Sequence, residues 1–292
     1  MARHRLQRLQ RLPVELLLEI LSFAAARSAG NYRTLLLVSK KIEGLVKLHC
    51  LQVVPVVLDD CQRLRSFHHL LQTCPQVANH VRYLWIVGEG HTCWHLIDAI
   101  LASCTRIVSL ACTSRSLTAL CSSSPSSPTP PTACTDLTLI ESWHAWDDII
   151  QTPHGPKLCA QLTRLRLQEG LTPQFPRHLF PRLTHLAFAS RPIRDYLARH
   201  LETLKPLRRL RHIVVTTLWW RDGLGHGGLS QFPGGELLEM DERLEVLDCK
   251  NGWTELGAWR DGVGGGWSLW DRARLERRSM VVFQGAFKAL VR

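Results

Sequence analysis

Three groupings in this 292-residue chain have residue types and spacings that could do chemistry. His91, Cys93 and His95 alternate closely and could offer nitrogen and sulfur ligands to zinc, which takes four in a closed site. No fourth ligand lies at a suitable spacing, so a loop or helix start is the better reading and no metal is expected. Gly223, Gly225 and Gly228 fit G-x-G-x-x-G behind a strand-like Ile213 to Thr217, with Asp248 beyond. That arrangement seats a dinucleotide pyrophosphate on a helix start. Here Trp219 to Asp222 part strand from turn, and Pro233-Gly234-Gly235 would break the required helix. The carboxylate pairs Asp59-Asp60 and Asp147-Asp148 are adjacent and therefore diverge. Serines and histidines are plentiful, but no nucleophile elbow exists. The expectation is a chain with no enzymatic activity and no cofactor.

Binding chemistry is better represented. Lys and Arg total 36 against 25 Asp and Glu, a net charge of +11. Such a balance favours anionic partners. Between Ala160 and His212 stand eleven basic and three acidic residues. Arg164, Arg166, His185 and His212 fall at strand-like positions there, and arginine forks suit carboxylate and phosphate. These four are the candidate substrate-binding residues, forming a positive recess for an acidic or phosphorylated segment. Tyr83 and Trp85 join them as anchors for an apolar group.

What positions these side chains is a repeat. The pattern apolar-x-x-apolar-x-apolar recurs as Val81/Leu84/Ile86, Ile107/Leu110/Cys112, Cys134/Leu137/Leu139 and Leu162/Leu165/Leu167. It continues as Leu183/Leu186/Phe188, Leu210/Ile213/Val215 and Leu244/Leu247/Cys249, with starts 21 to 34 residues apart. Helix-spaced faces lie between: Leu64/Phe67/Leu70/Leu71, Leu96/Ile97/Ile100/Leu101 and Leu197/Leu201/Leu204. A short strand and a helix cannot bury their apolar faces alone, whereas stacked copies share one core. The residues alternating with the apolar ones would then point away from that core.

Other segments break this rhythm. Residues 122–132 read SSSPSSPTPPT, an exposed Ser/Pro loop expected to be disordered. Six tryptophans and a glycine run mark the C-terminal part, read as a cap closing the open end of the core. The ten cysteines form no disulfide-like framework, so reduced buried thiols are expected, with Cys112, Cys134 and Cys249 at core positions. No apolar run is long enough to span a membrane.

The most specific string is LPVELLLEILSFAAARSAGNYRTLLLVSKKI, Leu12 to Ile42. Pro13 suits the first turn of a helix, and Leu16, Leu17, Ile20 and Leu21 share a broad apolar face. Leu12-Pro13-x-Glu15-Leu16, Glu19-Ile20-Leu21 and Leu37-Val38-Ser39-Lys40-Lys41 resemble the F-box over about the first 45 residues. The resemblance implies a three-helix unit that docks on the linker subunit of a cullin–RING ubiquitin ligase, with downstream leucine-rich repeats selecting the substrate. Leu12, Pro13, Leu16, Ile20, Leu21 and Val38 would form the docking face.

The expected fold is α/β: an all-α F-box-like helical module over 1–50, an irregular leucine-rich-repeat solenoid over 51–250 and a Gly/Trp-rich cap over 251–292. The expected partners are the ligase linker subunit and an acidic or phosphorylated protein substrate, in the cytoplasm or nucleus, without membrane or nucleic acid. The alternative is a basic repeat scaffold that binds nucleic acid or acidic proteins and has no ubiquitin role.

Overall fold

The computed structural model describes residues 12–26, 29–88, 93–122, 133–140, 146–172, 174–189, 194–218, 241–249 and 254–277. The Ser/Pro tract from 123 onward and the glycines Gly223, Gly225 and Gly228 lie outside them.

Helices α1 (Val14–Ala26), α2 (Ala29–Val38) and α3 (Lys40–His49) open the chain. Ser39 explains the break between α2 and α3: in extended backbone, its hydroxyl accepts the Ile42 N–H and caps α3. Leu17, Leu21 and Ala25 of α1 recur every fourth residue and so share one side. They meet Ile42 and Val46 of α3 in a small core of their own.

Eight short strands follow: β1 (Val56–Leu58), β2 (Tyr83–Ile86), β3 (Ser109–Thr113), β4 (Asp136–Ile140), β5 (Arg164–Leu167), β6 (His185–Ala189), β7 (His212–Leu218) and β8 (Leu244–Cys249). They form one sheet, each strand parallel to the one before and in chain order. Parallel neighbours require crossovers. These carry α4 (Cys61–Thr73), α5 (Trp94–Ser103), α6 (Ser114–Cys121), α7 (Trp146–Gln151), α8 (Gly155–Gln161) and α9 (Arg194–Leu204).

The register stacks like on like. Leu84, Leu110, Leu137, Leu165, Leu186, Ile213 and Leu244 form one ladder across the sheet. Ile86, Cys112, Leu139, Leu167, Phe188, Val215 and Val246 form the next. Both face the helices, and with Leu64, Ile97, Ile100, Leu117, Leu158 and Leu201 they make the main core. Six of the seven hexads thus place their apolar residues inside as expected.

The seventh hexad is shifted by three residues. Leu244 pairs with Ile213, so Leu244 and Val246 are the inward pair, while Leu247 and Cys249 face the opposite side. Leu247 and Cys249 mimic the pattern because that opposite face is also covered here. Strand β1 was not expected: three residues are too few to show a period.

The C-terminal segment corrects a larger expectation. Its described residues, 254–277, lie on a face of the sheet and not at the end of the core. Helix α10 (Glu255–Val263) and the helical residues 269–277, here α11, lie across the second face of the sheet. Thr254 caps α10 by accepting the Gly257 N–H. At its far end Gly266 N–H bonds back to the Asp261 carbonyl and Gly265 takes a φ of 76°. That left-handed turn favours glycine and returns the chain to the sheet. A Cβ added at Gly264 would stand 3.0 Å from the Ala26 carbonyl oxygen, so the turn abuts the end of α1. Parallel sheets are normally covered on both faces, and this strap supplies the second cover.

The cysteines depart from expectation at one pair. Cys61, opening α4, and Cys93, preceding α5, form a disulfide. Disulfides persist mainly in oxidising compartments, so this pair runs against the expected reducing location. The eight others form no disulfide, Cys112, Cys134 and Cys249 among them, and all but Cys74 are buried. Burial pushes the thiols of Cys104, Cys121, Cys134 and Cys159 up to about 12, which keeps them protonated and unreactive. Among the described residues no helix is long and apolar enough to cross a membrane.

Candidate functional site

Two surfaces present chemistry: the outer side of the three N-terminal helices, and the second face of the sheet beneath the strap.

On the first, burial of Leu17, Leu21 and Ala25 turns the opposite side of α1 outward. Leu16, Ile20 and Phe23 stand 49%, 47% and 67% exposed, at i, i+4 and i+7. Leu37 (85%) and Val38 (44%), ending α2, are exposed too, as is Val14 (47%). Of the six expected docking residues, Leu16, Ile20, Val38 and Pro13 are exposed and Leu12 is half-buried. Leu21 is corrected: only 7% exposed, it belongs to the module's own core. Sequence could not apportion the leucines, because α1 is apolar over most of its circumference. Val14 and Phe23 of α1 and Leu37 of α2 are exposed apolar residues outside the expected set.

On the second surface the strap changes what the sheet offers. Trp85, expected to be an open anchor, is buried under Trp259, ring centroids 5.7 Å apart and edge to face. The Trp259 indole N–H donates to the Ser109 hydroxyl at 3.1 Å, and Leu256 and Val263 pack beside it. Arg166, expected to meet a ligand, is 6% exposed and ion-paired with Glu255 at the start of α10. Its charge is spent inside the fold.

His185 and His212, also expected in the recess, stack on one another with centroids 4.7 Å apart. Trp270 closes edge-on over His185 at 5.1 Å, and His212 Nδ1 lies 3.1 Å from the buried Glu245. Both rings are engaged by these neighbours and only partly exposed. Beneath the strap, Ala111, Ala187 and Val214 are completely buried. Their small apolar side chains, at outward positions in the strands, were the available sequence signal that this face is covered.

Arg164 and Tyr83 remain accessible. They line a cavity of about 390 Å³ between sheet and strap, with Asp136, Thr138, Trp259 and Trp270. Arg164 is half exposed and lies 4.0 Å from the Asp136 carboxylate on the neighbouring strand. Burial raises the Asp136 carboxyl to about 6, against the opposing pull of Arg164 and Arg166. With Arg166 neutralised by Glu255 and Arg164 facing Asp136, the recess has no net charge, unlike the positive pocket expected.

Burial, then the charges of His212, Arg164, Arg274 and Arg211, lower His185 to about 4. The folded protein therefore refuses a proton that the unfolded chain takes up near pH 6.5. This contribution to stability is complete above that pH and drains as pH falls toward 4. Asp136 has the opposite sign, its ionisation cost vanishing on acidification. Between pH 7 and 5 the wild type should lose about 1–2 kcal/mol more than His185→Asn, after allowance for partial exposure. Urea unfolding at both pH values checks this. Equal losses in the two proteins would mean His185 titrates freely.

Among the described residues no group of three or more His, Cys, Asp or Glu could hold a metal. Of the three candidate zinc ligands, Cys93 is taken by its disulfide and His91 lies outside the described residues. No protein-family model matches this chain, and no curated protein matches it.

Proposed function

We propose that this chain is a substrate-recognition adaptor of a cullin–RING ubiquitin ligase: an F-box-like helical unit followed by a divergent leucine-rich-repeat solenoid. The observation that carries the reading is the exposed apolar strip of α1 and α2. Val14, Leu16, Ile20, Phe23, Leu37 and Val38 together leave a small helical unit with more exposed hydrophobic surface than it needs for its own fold. A concentration of exposed apolar residues of this kind marks a protein interaction site, and the i, i+4, i+7 spacing of Leu16, Ile20 and Phe23 suits a helix laid into a groove. It coincides with the Leu-Pro and Val-Ser strings that resemble the F-box. The sequential parallel strands present a second, separate surface for a target, as an adaptor requires. The chain would have no catalysis of its own and would act by proximity, holding a bound protein near the ligase's transferring arm. A cytoplasmic or nuclear location goes with this role, against which the Cys61–Cys93 disulfide stands.

The test is co-purification with the linker subunit. Leu16→Arg puts a charge at the centre of the strip and leaves Leu17 and Leu21 in place, so the variant should stay folded by circular dichroism and lose linker retention at least tenfold. No retention by the wild type ends the adaptor reading and leaves the basic repeat scaffold. The two also differ in salt dependence: an apolar docking face is nearly insensitive, whereas binding to phosphates weakens linearly on a log–log plot.

A further inference from the structure

The positive charge that the covered face lacks is found along the sheet's N-terminal edge. The register aligns Tyr83, Ser109, Asp136, Arg164, His185 and His212 in one row at the strand starts. One residue ahead of that row stand Arg82 and Arg211. Three residues ahead stand Arg106, Arg182 and Arg209. Arg106, Arg164, Arg182, Arg208, Arg209 and Arg211 are all exposed. Arg82 donates to the Arg106 carbonyl at 3.0 Å, tying the head of the row to its neighbour. Strand spacing fixes the pitch at about 4.8 Å, so from β2 to β7 the row runs roughly 24 Å.

The acids near this edge are already engaged or sparse. Among the described residues, Asp241 forks onto Arg243 at 2.6 Å, Asp261 pairs with Arg272 at 2.6 Å, and Asp271 accepts from the Ser268 backbone and hydroxyl. Asp136 faces Arg164 at 4.0 Å, which leaves Glu242. We infer that this N-terminal edge is the target-binding surface, and that its partner is an extended acidic segment of a protein, about seven residues long. The inference deepens the adaptor reading and rests on it for what the partner is.

Three features favour a peptide over a nucleic acid. Asp136 interrupts the row at β4, which opposes a continuous line of phosphates, whereas a peptide can place a neutral or donor side chain there. The cavity beside Asp136 and Arg164, walled by Trp259 and Trp270, accepts one side chain of such a segment. No series of exposed aromatic rings follows the row among the described residues, as base stacking would want; Trp267 alone is exposed in the strap turn. At about 3.3 Å per extended residue, seven residues span the 24 Å.

The experiment uses the full chain with fluorescein-labelled octaglutamate, followed by polarisation at 50 mM and 150 mM salt. The variant Arg106→Glu/Arg182→Glu/Arg211→Glu should bind at least tenfold more weakly. A control with the same charge change on the helical side, Arg65→Glu/Lys157→Glu/Arg199→Glu, should stay within threefold of wild type. Equal weakening of both variants would reduce the effect to net charge and overturn the assignment, as would no binding by the wild type. Tighter binding of an oligothymidylate with eight phosphates would overturn it in favour of nucleic acid. Linker retention is measured on the same proteins. Peptide loss with linker retained locates the surface, whereas peptide binding in a wild type without linker retention refutes the adaptor role and leaves this edge standing.

Discussion

Trp259→Ala should release the strap from the sheet before anything else unfolds. The side chain packs edge-on against Trp85, donates a hydrogen bond to Ser109 across 150 residues of sequence, and is 5% exposed. Truncating a buried tryptophan costs about 3–5 kcal/mol, and here the change also leaves the Ser109 hydroxyl in a dry site. The strap's other described anchors are Leu256 and Val263 beside Trp259, Leu269, Trp270 and Ala273 in α11, and the Arg166–Glu255 pair, all carried on the strap's side by residues 255–273, so the loss is felt locally. Amide exchange over residues 255–263 should accelerate by roughly 100-fold, the equivalent of about 3 kcal/mol, while amides in β3 to β6 change far less. A uniform rise in exchange over the whole sheet would show instead that strap and core unfold as one unit.

Glu255→Ala is expected to be nearly as costly, for an electrostatic reason. Arg166 and Glu255 expose only 7% and 10% of their side chains. Removing one partner takes the nearest counter-charge from a guanidinium in a low-dielectric site, a change that costs up to about 3–5 kcal/mol. The same principle says the pair itself contributes little net stability compared with apolar groups of similar size. Glu255→Leu combined with Arg166→Met should therefore return to within about 1 kcal/mol of wild type in urea unfolding. If the single substitution costs less than about 1 kcal/mol, water reaches the pair and the strap is held by its tryptophans alone. Recovery in the double variant would also show that Arg166 serves the fold and not a ligand.

Much of the scaffold was legible because its signals are local. Leu84, Leu110, Leu137 and their successors recur at a near-constant interval, and a strand and helix of that size can be buried only by stacking. The faces of α5 and α9, and the stop of α9 before Pro206, follow from helical spacing. The apolar surplus of α1 was equally visible, though not its division: Leu16 and Leu21 look alike in sequence, and packing of α1 on α3 decides which is buried.

The sequence by itself determined a parallel repeat sheet with helices on one face and an apolar, F-box-resembling helical unit ahead of it. Only the tertiary structure decided which basic residues are available to a partner. Arg164 and Arg166 occupy equivalent outward positions two residues apart, yet one is open and the other is spent on Glu255. Trp85 and Tyr83 divide in the same way. The cause is a contact between segments far apart in the chain. Periodicity reports which side of a strand a residue faces, but what lies on that side depends on where α10 comes to rest, and no local pattern in β2 or β5 encodes that.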